Sequence, residues 1–450
     1  MGVKRPLLSF VKGGAALFPP LAAPLLIVLL SACSGPSTSL RRKIDAQIAQ
    51  GNYPGAQKLI EDEKLGSYDK KNRVLYHLDL GGVLFDAGKY KDSDQNFATA
   101  EDDMDALYTK SIHQAAGTLL LNDNTVDYVG ERFERAFVNV YRALNYLFLG
   151  DRDDALVEIR KLSRLLQEYA DTAQNASYKD DAFAQYLSSL LYEDGGQPDD
   201  ARIALEASDR AYQNYATAYF VKKPAIDPAP LDGPNGELVF IHANGVAPHK
   251  ESKYFQVAWG EGLAAINSSS DANAGQARNA IRAGVLGNAF TVSFPVYVQD
   301  PFRIHSSAVE VDGRVAETQM VENVSAIAQK ALAERQAPIR TRAVARAAIK
   351  YVLSQVAVNE AKKRYGANSW QALAARAGTA VVSAATETAD IRSWATLPAQ
   401  FLMARMPLPP GEHQVTVRYR SPQGEVLLTR TFTVTIRKGQ RAYLHDRTAL

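Results

Sequence analysis

The sequence is poor in cysteine and carries almost no net charge. Cys33 is the only cysteine among 450 residues, so the chain cannot form an internal disulfide. The formal net charge is +2, and it becomes −1 without the segment that precedes Cys33. This balance argues against nucleic acid as the main partner, because nucleic-acid binding depends on many uncompensated positive charges. Beyond residue 32 no apolar run reaches the roughly 18 residues of a membrane-spanning helix.

The first 32 residues have the order of an export signal. Three basic residues precede an apolar core, which is strongest over 25–30, and the small residues Ser31 and Ala32 lead into Cys33. The order resembles the bacterial lipobox, which implies that residues 1–32 are removed and that Cys33 receives a lipid. An ordinary signal peptide with an incidental cysteine is the alternative.

The residues after Cys33 give an expectation for the location of the protein. The lipobox resemblance implies retention at the inner membrane where Asp follows the lipidated cysteine, and here Ser34 follows it. We therefore expect a lipid-anchored, periplasm-facing protein of the outer membrane. Residues 33–39 are small and polar, and they predict a flexible tether.

Helical periodicity and scarce proline predict a helical domain over 40–223. Four glycines are expected in the turns between paired helices, because glycine readily adopts the left-handed conformation that ends a helix; they are Gly51, Gly88, Gly150 and Gly196. The stretch 143–162 resembles the tetratricopeptide repeat, which implies an α-solenoid that binds a protein partner in a groove. The glycine spacings of 37, 62 and 46 exceed the ideal of about 34, so a generic helical bundle is the alternative.

A proline-rich linker at 224–234 precedes a second domain, predicted over 236–450. Alternating and short apolar runs predict strands in this domain, at 237–242, 254–258, 289–298, 307–311, 425–436 and 439–445, and residues 407–420 predict a turn followed by a strand. Between them, residues of about 321–389 predict inserted helices, with Pro338 beginning a second helix. The fold class is therefore expected to be α+β: an N-terminal α-solenoid, then a β-rich, sandwich-like domain with inserted helices.

Four segments of the second domain carry a family resemblance, at 237–245 (ELVFIHANG), 294–297 (FPVY), 390–394 (DIRSW) and 404–411 (ARMPLPPG). Together with the helical half they resemble uncharacterised bacterial lipoproteins of the cell envelope. The resemblance implies an envelope protein associated with lipoproteins that activate cell-wall synthases. It implies no catalytic residue.

The sequence contains no recognisable catalytic motif. The segment 82–89 lacks the spacing of a phosphate-binding loop, and the spacing of His242, His249 and Glu251 matches no strong metal site. We therefore predict no catalytic residue, no metal and no cofactor, and interpret the chain as a protein–protein interaction scaffold in envelope or cell-wall assembly. The alternatives are a cell-wall hydrolase with an unrecognised site, and a structural subunit of an envelope complex, which would include a homo-oligomer.

Positive charge is concentrated in the predicted inserted helices. We expect these side chains to contact an anionic partner such as lipid head groups, or the acidic residues at 92–105 of the chain itself. A solvated helix face is the simpler alternative. The candidate contact residues are Arg335, Arg340, Arg342, Arg346, Lys362, Lys363 and Arg364.

Overall fold

The computed structural model describes residues 35–114, 126–172, 177–225, 233–268, 272–282, 289–373 and 389–450. Cys33 and the predicted signal peptide lie outside these residues. The fold is α+β, with helices in the N-terminal half and sheets in the C-terminal half, and this confirms the predicted class.

Helices of the N-terminal half follow one another in pairs. They are α1 Thr38–Ala49, α2 Tyr53–Asp62, α3 Arg73–Asp86, α4 Tyr90–Gln114, α5 Arg132–Leu149, α6 Arg152–Thr172, α7 Ala182–Asp194 and α8 Pro198–Ala218. Gly51, Gly88, Gly150 and Gly196 lie in the turns of the four pairs, with φ values between 68° and 83°. These are left-handed values, which a residue with a Cβ rarely adopts.

The helical half begins earlier than the sequence predicts. The side chain of Ser37 accepts a hydrogen bond from the backbone N–H of Leu40 at 3.1 Å, which caps α1 and places Thr38 inside the helix. Gly35 lies so close to Arg392 that an added Cβ would come within 2.9 Å of its Cγ. Ser37 therefore caps α1 and residues 38–39 lie within it, so the helical half begins inside the segment 33–39 that was predicted as a flexible tether.

The strands described in the C-terminal half form three sheets. The strands are β1 Gly236–Asn244, β2 His249–Ala258, β3 Ala289–Val298, β4 Ser306–Val311, β5 Arg314–Glu317, β6 Gln319–Glu322, β7 Gln400–Leu408, β8 Gly411–Arg420, β9 Val426–Ile436 and β10 Arg441–Thr448. The first sheet has the order β10-β1-β7-β6, in which β1 runs parallel to β10 and antiparallel to β7. The second sheet has the order β5-β4-β8-β9, and β2 pairs with β3 alone.

The first sheet is buried on both faces. On β1, Val239 and Ile241 belong to the same hydrophobic cluster as the helices. Leu238 and Phe240 point to the opposite face, where they cluster with residues of the second sheet such as Val417. Successive side chains of a strand alternate between faces, so this one strand contacts both the helical layer and the second sheet.

One long helix, α11 Val324–Tyr365, replaces the two helices predicted on either side of Pro338. Proline lacks the N–H that would bond one turn back, and this usually interrupts a helix. Here Pro338 is exposed, while Leu332 before it and Val344 after it are buried, so packing on both sides holds the helix continuous. The two helices α9 Trp259–Ser268 and α10 Ala272–Arg282 were not predicted; they cluster with α11 and with β2 and β3.

The segment 389–399 joins the two halves. It lies on the inner face of the helical half, the side of α3, α5 and α7 that carries Phe85, Tyr141 and Phe183. The Trp394 ring lies 5.6 Å from the ring of Tyr141, centroid to centroid. The backbone N–H groups of Ala395 and Thr396 donate to Asp79 at 2.8 and 3.1 Å, and that of Trp394 donates to Glu134 at 2.8 Å.

Gly82 of α3 has a packing role in this contact. A Cβ at this position would come within 2.5 Å of the Thr396 hydroxyl oxygen. The glycine thus permits segment 389–399 to approach the helix backbone. This packing role explains the glycine at position 82. The stretch 82–89 lies in α3 and the turn after it, whereas a phosphate-binding loop would follow a strand.

We expect Trp394→Ala to destabilise the fold by about 3–5 kcal/mol, because it removes a large side chain that is 1% exposed and leaves a cavity between the halves. The measurement is the free energy of unfolding from urea titration. Trp370→Ala is the matched control: its side chain is 62% exposed, so the expected change is within about 0.5 kcal/mol. Equal effects of the two substitutions would contradict the burial of Trp394 between the halves.

Asp79 should make stability depend on pH. Burial raises the pKa of its carboxyl to about 6, against the hydrogen bonds from Tyr68 and the backbone, which lower it. The folded state therefore holds this proton more tightly than the unfolded state, and stability on the order of 2 kcal/mol is lost as the pH rises from about 4 to about 6. Asp79→Asn should remove this loss in urea titrations across that range, whereas exposed Asp62→Asn should keep it.

Candidate functional site

Three of the predicted basic residues, Arg335, Arg342 and Arg346, line a pocket of about 150 Å³ beside α11. We call it the basic pocket. Its charged lining consists of Glu131, Lys250, Arg335, Arg342, Arg346 and Asp390. Glu131 precedes α5, Lys250 lies on β2, the arginines lie on α11, and Asp390 lies in segment 389–399, so four separate parts of the chain supply the charged side chains of this site.

A buried ion-pair cluster forms one wall of the basic pocket. The Lys250 ammonium lies 2.8 Å from the Glu131 carboxylate, which also accepts a hydrogen bond from Arg335. Burial disfavours both charges, but the partners outweigh it: the pKa of Lys250 is raised and the pKa of Glu131 is lowered. Lys250 therefore remains a cation and Glu131 an anion at neutral pH.

Asp390 is compensated from the other side. Its carboxylate accepts hydrogen bonds from Arg392 at 2.8 and 2.9 Å, and this guanidinium lowers the pKa of Asp390 against the effect of burial. Arg392 is in turn held by the carbonyl of Val126 at 2.8 Å and by the ring face of Tyr128. Both carboxylates of the basic pocket thus have cationic partners within the fold.

Arg342 differs from these residues. It forms no ion pair with any residue that the structure describes, and its Nε is 3.4 Å from the carbonyl oxygen of Pro338 in its own helix. A planar guanidinium can donate two parallel hydrogen bonds to a carboxylate or phosphate. The arrangement is thus suited to binding an anion, with Arg342 at the opening and Lys250 at the buried end.

The remaining predicted basic residues are divided among three environments. Arg346 is 5% exposed and lines the basic pocket, so the alternative of a solvated helix face does not apply to it. Arg340 pairs with Glu261 at 3.3 Å and lies over the ring of Phe255. Lys362, Lys363 and Arg364 are exposed at the end of α11, about 30 Å along the helix axis from Arg342.

The acidic stretch 92–105 contacts arginines of the helical half itself. Arg142 pairs with Asp94 at 2.9 Å and with Glu101, and Arg73 pairs with Asp103 at 2.9 Å. None of these ion pairs joins the stretch 92–105 to the basic residues of 335–364, although the sequence predicted such a contact. Glu131, outside the stretch, is the acidic residue of the helical half that Arg335 contacts.

A second cavity, the outer groove, lies between α4, α5 and α6 and has a volume of about 530 Å³. Its lining contains four acidic and four basic side chains, so it has no preference for one sign of charge. Arg142, Glu101 and Lys161 are held there by ion pairs with one another or with Glu158. The outer groove is therefore a polar surface of the helices in which several charges are already paired.

Two histidines noted in the sequence, His242 and His249, lie in different surroundings. The ring of His242 contacts the hydroxyls of Ser307 at 3.0 Å and Thr448 at 2.7 Å, but His242 and Ser307 are fully buried, so a substrate has no access to them. His249 lies 3.2 Å from Glu251. Among the described residues no group of three or more His, Cys, Asp or Glu side chains is arranged to hold a metal ion.

Sequence reasoning found the arginines of the basic pocket but missed Lys250, Glu131 and Asp390. The three are separated by more than a hundred residues, and no local pattern connects them. Of these three residues, Asp390 alone lies in a segment that the sequence analysis singled out, because it begins the segment DIRSW of the family resemblance.

None of the described helices is long and apolar enough to cross a membrane. Comparison with known protein families, with curated proteins and with solved structures found no match to this chain.

Proposed function

We propose that the protein is a lipid-anchored, periplasm-facing protein of the bacterial outer membrane that binds an anionic group of an envelope partner in the basic pocket. The observation that carries the proposal is Arg342, a guanidinium without an ionic partner among the described residues, at a pocket whose two carboxylates are already compensated. A phosphate or a carboxylate would complete this site. The protein then acts as a scaffold in envelope or cell-wall assembly, without a cofactor.

The first described residues lie near the basic pocket. Gly35 contacts Arg392, and Pro36 lines a small cleft that also includes Lys250. Cys33 precedes Gly35 by two residues, so a lipid on its side chain would be attached beside the basic pocket. An anionic group at the membrane surface, or on a partner bound there, would therefore be within reach.

A protein partner has a second surface available. In an α-solenoid, the arrangement that we propose for the helical half, partners usually bind the concave surface. Segment 389–399 covers the inner face, so the outer groove is the open polar surface of the helices. Two rival functions remain. A hydrolase of the cell wall would release soluble wall fragments. A structural subunit would form an assembly of the size of a ring or a coat.

The lipid anchor predicts that Cys33→Ser abolishes both incorporation of a fatty-acid analogue and sedimentation with membranes. The measurement is metabolic labelling followed by fractionation of cells. Ser34→Ala is the matched control and should keep the label, because it leaves the thiol in place. A Cys33→Ser chain that still carries the label would refute the anchor.

Arg342→Glu should weaken binding of inorganic phosphate or pyrophosphate to the mature chain at least tenfold, because it removes a charge-assisted donor and adds a repelling charge. Isothermal titration measures the affinity, with succinate as the carboxylate probe that separates the two anion classes. Lys438→Glu makes the same change of charge at an exposed position outside the basic pocket and should have no effect. Absence of binding by all three anions at low salt would refute an anion site.

A further inference from the structure

The far end of α11 and the helical turn that follows it expose large apolar side chains close in sequence to a cluster of basic ones. Tyr365 is 50% exposed, and Trp370 and Leu373 are each 62% exposed. They follow the exposed basic residues Lys362, Lys363 and Arg364. We call these six residues the aromatic tip. Globular surfaces seldom expose several large apolar side chains together unless something binds them.

The aromatic tip is held in place by its neighbours. Val352 and Val358 of α11 are buried, and Val352 clusters with residues of α9, α10 and β3, which fixes the helix that carries the tip. Beyond Gly366, the Ser369 hydroxyl oxygen accepts from the N–H of Ala372 at 3.1 Å and begins a new helical turn. Trp370 and Leu373 are three residues apart on this turn and therefore share one face.

The charges of the aromatic tip favour an anionic partner. Lys363 lies 3.3 Å from Glu360, and both side chains are largely exposed, so this pair is weak. Lys362 and Arg364 form no ion pair with any residue in the described part of the chain, and the Arg364 guanidinium lies over the ring of Tyr365. A second copy of the chain would bring like charges together on the two tips.

We propose that the aromatic tip binds the surface of an anionic lipid bilayer. Trp and Tyr are favoured at the boundary between head groups and acyl chains, and Leu373 adds an aliphatic side chain that can enter the acyl region. Basic residues at such a surface are attracted by the negative potential of anionic lipids. The leucine also distinguishes this tip from a nucleic-acid surface, where stacking on bases would favour a further aromatic side chain.

The test uses the mature chain with Cys33→Ser, so that no lipid is attached. We expect it to sediment with vesicles containing phosphatidylglycerol and not with pure phosphatidylcholine vesicles, and its tryptophan fluorescence to shift to the blue. Trp370→Ala with Leu373→Ala should lower the affinity at least tenfold. Leu65→Ala, at a leucine that is 94% exposed elsewhere, is the matched control and should bind as the parent chain does.

A charge variant separates this proposal from the anion site. Lys362→Glu, Lys363→Glu and Arg364→Glu together should abolish vesicle binding and leave phosphate binding at the basic pocket unchanged, while Arg342→Glu should do the reverse. Circular dichroism confirms that each variant is folded. Three outcomes would overturn the bilayer proposal: no vesicle binding at low salt, binding unaffected by the tip variants, or self-association or single-stranded DNA binding that depends on the tip in place of vesicle binding.

Discussion

The contact between segment 389–399 and the inner face of the helices is the constraint on which the rest of the structure depends. Asp79 and Glu134 accept the backbone N–H groups of an extended segment that is buried away from water, where an unsatisfied donor would be costly. The Trp394 ring fills the space between α4 and α5, against Phe97 and Tyr141. This contact positions strand β7, which follows directly and is buried on both faces.

The same contact restricts where a partner can bind. Aromatic side chains of the helices, which would be accessible in an isolated helical array, are covered: Phe137 and Phe183 stack on Phe401 at 5.6 and 5.3 Å, centroid to centroid. On the other side, segment 389–399 supplies Asp390 to the basic pocket and holds Arg392 against Tyr128. Segment 389–399, with strand β7 that follows it, therefore covers the inner face of the helices and helps to build the basic pocket.

The sequence predicted the features that local physics determines. Turn glycines at 51, 88, 150 and 196 were identifiable because a left-handed φ selects glycine wherever it occurs. Strands that alternate, such as β8, were also identifiable, since one of their faces is polar. Strand β7 was missed: it is buried on both faces, so its residues show no alternation, and it contains Pro407.

The basic pocket could be predicted only in part, because its geometry depends on the register of a 42-residue helix. Arg342 and Arg346 are one turn apart, yet one is exposed and the other is 5% exposed. Composition shows that both are cations, but only packing against β2 and β3 decides which one faces solvent. The Lys250–Glu131 pair joins residues 119 apart in sequence, and nothing local relates them.

The proposed lipid anchor and the basic pocket lie close together, because Gly35 lies beside Arg392 and Asp390 lines the pocket. If a lipid holds Cys33 in the membrane, then Gly35 and Arg392 lie close to the head groups, and so does Asp390 of the basic pocket. A site tethered in this way meets anions of the membrane surface at a high effective concentration, so a modest intrinsic affinity is sufficient for occupancy. Lys362, where the aromatic tip begins, lies about 30 Å along α11 from Arg342. A second contact at that distance would limit rotation of the protein about its anchor, which a lipid alone cannot do.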